Sequence, residues 1–266
     1  MFSRCDSQLA DRTVATLKIA DLEALARGDI LACRIPDFCD PDACAVIQRR
    51  ARALSTTRYS VAPDVAKIGM ALFEATDERL LEEYYQSASE AEARERALYD
   101  GLNNPIETLR GILQRLWPAG CKMERLHQEP MYAGLVRILD AGSELRPHQD
   151  NTNWDMPTST AAQTMQTQFS CNIYFSVGEV GGELELWPSR IEDEASYRSM
   201  QVTGDYSLRP STIGRPSLSI RPKVGDLIIF DARKVHAVSR VVRGSRINAS
   251  TFIGLRSRSV PLTLFS

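Results

Sequence analysis

The sequence predicts an α+β protein, mainly β, in which an N-terminal helical segment supports a sandwich or barrel of short antiparallel strands. Three observations carry this prediction. Apolar residues recur at helical spacing over the first 125 or so residues; beyond them the pattern turns to short β-type runs broken by Gly, Pro, Asn and Asp; and no clear helical period separates those runs. We read 1–266 as a single domain, with 1–125 as the supporting helical segment and 126–258 as the β core.

In the first segment, Asp40 and Pro41 provide a cap and a first-turn proline ahead of a run of helix formers. Between 77 and 99, Leu80, Leu81, Tyr84 and Tyr85 recur at helical spacing among charged residues. Asn104-Pro105 opens a further helix carrying Ile106, Leu109, Ile112, Leu113 and Leu116, which Pro118 and Gly120 end. Such periodicity reports packing. The predicted strands are 133–139, 168–176, 183–187, 218–221, 226–231, 235–242 and 246–255, with tight turns at Gly181-Gly182 and Gly225-Asp226. The polar stretch 151–167 is long for a turn and is a candidate lid or binding loop.

With 43% hydrophobic residues the chain can bury a full core without a disulfide or structural metal. A formal net charge of −2 argues against a dedicated nucleic-acid binder, which needs a basic face, so a small molecule is the expected partner. No run approaches the roughly 20 apolar residues of a membrane helix, and the N-terminus lacks the apolar stretch of a secretion signal. The six cysteines form no CxxC or zinc-finger spacing and read as reduced, mostly buried residues. A cytoplasmic protein is expected.

Among the three histidines, His148 lies in Arg146-Pro-His-Gln-Asp150. On an extended strand, residues i and i+2 project to one face, so His148 and Asp150 can approach one ion together. His236 opens another predicted strand, and a neighbouring position would bring it across. Two neutral imidazoles and one carboxylate form the facial set that leaves open positions on non-haem Fe(II); zinc more often takes a closed tetrahedral site. Alternation puts Arg246, Asn248 and Ser250 on one face of their strand, so a guanidinium points inward if the metal lies on that side. Buried there, it calls for a carboxylate partner. The alternatives are a packed core His236 and a surface arginine, as Arg240 and Arg243 are expected to be. His127 reads as structural.

These residues resemble the Fe(II)/2-oxoglutarate-dependent dioxygenases. Val136-Arg-Ile-Leu-Asp-Ala-Gly142, the H-x-D, Cys171-Asn-Ile-Tyr-Phe-Ser176, Gly181-Gly-Glu-Leu-Glu-Leu-Trp-Pro188, Val224-Gly-Asp-Leu-Ile-Ile-Phe230, Val235-His-Ala-Val238 and then Arg246 follow the feature order of the prolyl-hydroxylase-like branch. The resemblance covers 133–255. It implies a double-stranded β-helix core of jelly-roll, cupin-like type. It assigns Fe(II) to His148, Asp150 and His236, and the distal carboxylate of 2-oxoglutarate to Arg246, assisted by Tyr174, with Asn248 as a further cofactor contact. O2 is the co-substrate, with succinate and CO2 as products. Where many relatives carry a tyrosine about ten residues before the first metal histidine, this chain has Ile138, which implies a different cosubstrate pocket there. In related halogenases the position of Asp150 is Gly or Ala, leaving room for chloride. Here the carboxylate fills it, so hydroxylation of an sp3 C–H bond in a small polar molecule, a free amino acid or natural-product intermediate, is the expected reaction.

For substrate contacts, Asn153, Trp154 and Asp155 follow the H-x-D closely. Trp154 is a candidate apolar wall and Asp155 a candidate partner for a cation; a solvated loop of Asx turns is the plainer reading. Arg137, on a strand face with Leu135 and Leu139, is a candidate for a substrate carboxylate, and Trp187 reads as core. Desaturation, cyclisation or epimerisation with the same cofactors remain alternatives. So does a non-catalytic cupin-like metal-binding protein, which would have no use for an inward Arg246.

Overall fold

A computed structural model describes residues 10–75, 78–126 and 129–266. Cys5, Asp77 and His127 lie outside the described residues. Two sheets dominate, a large one backed by helices and a four-stranded one facing its other side.

The first half contributes β1 (Asp11–Thr13), α1 (Ile19–Arg27), β2 (Ala32–Ile35), α2 (Pro41–Ala53), β3 (Thr57–Arg58), β4 (Val65–Ile68), α3 (Glu78–Ser89), α4 (Ala91–Tyr99), α5 (Pro105–Leu116) and β5 (Cys121–Met123). The capping residues act as their sequence requires. The Asp40 carboxylate accepts from the Asp42 and Ala43 N–H groups at 3.0 Å each, and Asn104 Oδ1 accepts from Ile106 N–H at 2.9 Å. The helical period between 77 and 99 is split into α3 and α4 at Glu90. Five short strands, which the periodicity did not predict, accompany these helices.

The second half adds β6 (Leu135–Asp140), β7 (Leu145–His148), α6 (Thr152–Asp155), α7 (Thr160–Gln163), β8 (Thr167–Val180), β9 (Leu184–Leu186), α8 (Glu194–Met200), α9 (Pro210–Ile213), β10 (Leu218–Ile220), β11 (Leu227–Asp231), β12 (His236–Val238), β13 (Arg243–Leu255) and β14 (Leu262–Phe265). The expectation of strands without intervening helices is corrected by α6 to α9. They are only four to seven residues long, too short for an amphipathic period to show. Side-chain caps from Asn151, Ser159 and Asp193 mark three of them.

The large sheet runs β1-β2-β11-β8-β13-β6-β4-β3, with β14 on β13 and β5 on β14; the smaller runs β10-β9-β12-β7. Period-two alternation sorts the large sheet's faces. Val136, Ile138, Cys171, Ile173, Ile229, Ile247 and Ala249 pack outward against Leu22, Leu25, Ile47, Leu109 and Leu113 of the helices. Each buried Val, Ile or Leu in this set contributes about 1.5–3 kcal/mol. The intervening residues, Arg137, Asn172, Tyr174, Arg246 and Asn248, face the smaller sheet. A one-residue slip of β13 would drive Arg246 and Asn248 into the apolar layer, so the helices fix the register that presents the polar set inward.

Ile138 is therefore not a pocket residue: it is buried in the outer, helix-facing core. The expectation of a different cosubstrate pocket at Ile138 is corrected by its strand parity: the inward neighbours are Arg137, on the wall of the cavity beside His148, and Leu139, in the apolar cluster with Val238 and Val241. Gly181 turns the chain from β8 into β9 at φ +79°, where a Cβ would stand 1.9 Å from the Arg240 carbonyl oxygen. That close approach places the neighbouring Gly182 carbonyl beside Arg246.

Candidate active site

β12 lies between β9 and β7 in the smaller sheet, and its register makes His236 the direct antiparallel partner of His148. Their ring centroids are 4.3 Å apart. Asp150 sits just beyond the end of β7, held by its N–H donating to the Ala232 carbonyl at 2.9 Å. Its carboxylate lies 3.8 Å from His148 Nε2 and 3.4 Å from His236 Nε2. One potential ligand atom from each of the three residues falls within 4.8 Å of the others.

Each imidazole is oriented the same way. His148 Nδ1 is 2.7 Å from the Arg146 carbonyl oxygen, and His236 Nδ1 is 2.9 Å from that of Lys234. A carbonyl only accepts, so Nδ1 carries the proton in both rings and the Nε2 lone pairs converge on Asp150. Burial, then the charge of His236, lowers His148 to about 4, which keeps it neutral and able to ligate at neutral pH. Burial pushes the Asp150 carboxyl up. Where the imidazoles are protonated, the hydrogen bond from His236 and the charges of both rings, together with Arg137, outweigh it and hold the carboxyl well below its usual range. Two neutral imidazoles and one carboxylate with an open side suit an Fe(II)-type divalent metal.

Deeper in the space between the sheets, Arg246 is 3% exposed. Its Nη1 donates to the Gly182 carbonyl at 3.0 Å and its Nη2 to the Tyr174 hydroxyl at 3.2 Å, with the guanidinium 4.9 Å from the Tyr174 ring centroid. Nε has no partner, and no carboxylate among the described residues pairs with it. A buried guanidinium left in that state is costly, and an anionic ligand relieves it. Burial raises the Tyr174 hydroxyl's pKa, so it remains a neutral donor. Asn248 donates to Asn172 Oδ1 at 2.9 Å while its own Oδ1 is buried without a donor. The unpartnered guanidinium beside the Tyr174 hydroxyl suits the carboxylate end of a diacid.

A cavity of about 540 Å³ opens on the other side of His148 and Asp150. Trp154, Asp155 and Arg137 line it. Asn153 does not: its Oδ1 accepts from Arg233 Nη2 at 2.6 Å, so this expected substrate contact is corrected to a loop fastening. Arg233 also donates to the Met165 and Gln166 carbonyls, and Arg256 to that of Ala161, which ties 151–167 to the β core. Trp187 is buried and donates to the Gly214 carbonyl, away from the cavity. Arg240 and Arg243 are exposed.

Residues 14–260 match the family of the carrier-protein-independent halogenase WelO5. The chain belongs to that family. It is 33% identical over 135 residues to an L-isoleucine 3(1)-dioxygenase of Pantoea ananatis, covering 48% of this chain and 45% of that protein. It is 24% identical over 154 residues to an L-gamma-glutamyl-L-propargylglycine hydroxylase of Streptantibioticus cattleyicolor, covering 57% and 55%. These matches thus span about half the length of each relative. An N-substituted L-amino acid dioxygenase from Burkholderia ambifaria, solved in complex with α-ketoglutarate, shares the fold at TM-score 0.58 and 14% identity, over 93% of this chain and 90% of that one.

Sequence reasoning did not find the rest of the cavity wall. Tyr59 and Phe73 come from the segment preceding and following β4, and Glu194, Tyr197 and Tyr206 from α8 and the loop after it. The Asp193 cap ahead of an acidic first turn was the available signal for α8.

Proposed function

We propose that the protein is an Fe(II)/2-oxoglutarate-dependent oxygenase that hydroxylates an sp3 C–H bond of a small polar molecule, a free amino acid or natural-product intermediate. The convergence of His148 Nε2, His236 Nε2 and the Asp150 carboxylate beside an acid-free buried Arg246 carries this reading. In it, His148, Asp150 and His236 hold Fe(II). Arg246, Tyr174 and Asn248 receive 2-oxoglutarate. The two facing sheets form a double-stranded β-helix, jelly-roll core at 126–258, and 1–266 acts as one catalytic domain. Buried, unpaired cysteines at 33, 39, 44, 121 and 171 suit a cytoplasmic protein. Among the described residues no helix is long and apolar enough to cross a membrane.

When bound, the metal and cosubstrate supply the oxidising chemistry, consuming O2 and 2-oxoglutarate, releasing succinate and CO2, and placing one oxygen atom on the substrate carbon. The protein's contribution is orientation. The carbonyls of Arg146 and Lys234 hold the Nε2 lone pairs toward one point. Arg246 and Tyr174 fix a diacid's far end. The aromatic cavity wall limits water around the reacting carbon. Halogenation, the chemistry in the family's name, is disfavoured because Asp150 supplies a carboxylate where a halide would need an open position. The names of the two curated relatives, a dioxygenase of L-isoleucine and a hydroxylase of a γ-glutamyl amino acid, support amino-acid-like substrates.

The test is succinate formation by Fe(II)-loaded protein across a panel of amino acids and metabolites, with mass spectrometry of the products. Substrate-stimulated succinate with a product heavier by one oxygen atom is expected. Succinate formation that no panel member stimulates, or a chlorinated product, overturns the reading.

A further inference from the structure

We propose that Arg137 and Asp155 form a two-point ionic clamp, Arg137 receiving a carboxylate and Asp155 an ammonium, so that the substrate is a zwitterion carrying both groups. This rests on the oxygenase reading above and extends it to the substrate's charges.

Both side chains line the cavity that holds His148 and Asp150. Arg137 Nε donates to the Tyr59 hydroxyl at 3.0 Å, and the guanidinium lies 6.0 Å from the Tyr59 ring centroid. This bond and ring contact fix the plane of the guanidinium. Its two Nη groups have no hydrogen bond or ion pair among the described residues, which leaves the bidentate edge open to the cavity. Asp155 shows the opposite need. Its carboxylate has no hydrogen bond or ion pair among the described residues. The side chain is exposed on the cavity wall, where the negative charge of Asp150 acts on it. A carboxylate crowded by like charge and lacking a counterion is a site for a cation.

Charge counting agrees. Arg246 is a buried cation and Arg137 a half-buried one, and Asp150 is the carboxylate that acts on Arg137. A divalent metal and dianionic cosubstrate cancel each other. One positive charge then remains near Arg137, which a single substrate carboxylate neutralises. On the far wall Glu194 is paired with Arg198 at 2.5 Å, so Asp155 carries the unpaired negative charge there, where an ammonium fits. Phe73 and Trp154 supply apolar surface for the carbon skeleton.

The experiment is anaerobic calorimetry on protein loaded with Fe(II) and 2-oxoglutarate. The probes are the proteinogenic L-amino acids, each with its carboxamide and its N-acetyl derivative. Wild-type protein should bind at least one amino acid and lose about ten- to a hundredfold in affinity when either charge is removed from it. Arg137→Gln should bind acid and carboxamide alike while still penalising N-acetylation; Asp155→Asn should show the reverse. The wild-type ligand series alone decides the matter if a variant does not fold. Equal binding of acid and carboxamide by wild type, or loaded wild type that binds no amino acid, overturns the clamp and leaves the oxygenase reading standing. Loss of 2-oxoglutarate rather than amino-acid affinity in Arg137→Gln also overturns it, by assigning Arg137 to the cosubstrate. Wild type that binds neither metal nor 2-oxoglutarate refutes the underlying reading instead.

Discussion

His148 and His236 are direct partners across β7 and β12, 88 residues apart in sequence and 4.3 Å apart between ring centroids. Each ring is anchored through Nδ1 to the carbonyl two residues before it. One antiparallel register thus fixes both ligand positions and both tautomers, and Asp150 completes the set from the end of the same strand.

His236→Ala should lower Fe(II) affinity by at least about tenfold, and lower the thermal midpoint of the metal-free protein modestly, because the buried ring's contacts with the Lys234 carbonyl and Phe230 go with it. Metal titration alongside circular dichroism checks this. Asp150→Gly should keep both imidazoles, reduce hydroxylation strongly, and make the metal's spectrum respond to chloride.

Arg246→Leu should weaken 2-oxoglutarate binding by about ten- to a hundredfold with metal content nearly intact, since it removes a buried charge-assisted contact. Tyr174→Phe, which removes one neutral hydroxyl, should cost about two- to tenfold. Calorimetric titration with 2-oxoglutarate separates the two effects.

The metal-free protein should lose stability as pH falls from 6.5 toward 4. His148 has its pKa depressed from 6.5 to about 4 by burial, so the folded state binds fewer protons than the unfolded chain within that window. Its contribution is complete above 6.5 and lost progressively below. Denaturant midpoints across this range should fall in the wild type and fall less in His148→Gln.

Arg233→Ala should destabilise the protein by about 2–4 kcal/mol, because it strips donors from the Met165 and Gln166 carbonyls and from Asn153 at a buried position. Asn153→Ala, which removes one of these contacts, should cost about 1 kcal/mol. Urea unfolding measures both. Faster proteolysis within 151–167 should accompany the larger loss.

The metal set was legible in the sequence because its signal is short-range: an H-x-D at the end of one strand and a histidine opening another need only the period of two. The inward face of Arg246 was legible for the same reason, since parity separates it from Ile247; Tyr174 was reached through the family resemblance. Asn153 misled because proximity in sequence to Asp150 says nothing about direction, and the α6 turn points it at Arg233. The cavity wall from Tyr59, Phe73 and Tyr197 could not be read. It is assembled by loops and a seven-residue helix whose positions are set by tertiary packing. The strands β2 and β4 were hidden for a related reason: most of their residues are buried, so no alternation of polar and apolar residues marks them.

The most direct measurement is an anaerobic crystal structure with Fe(II) and 2-oxoglutarate. It should show the metal on His148 Nε2, His236 Nε2 and the Asp150 carboxylate, with the distal carboxylate of 2-oxoglutarate on Arg246 and Tyr174. Metal bound elsewhere, or a diacid that leaves Arg246 uncontacted, would contradict the account.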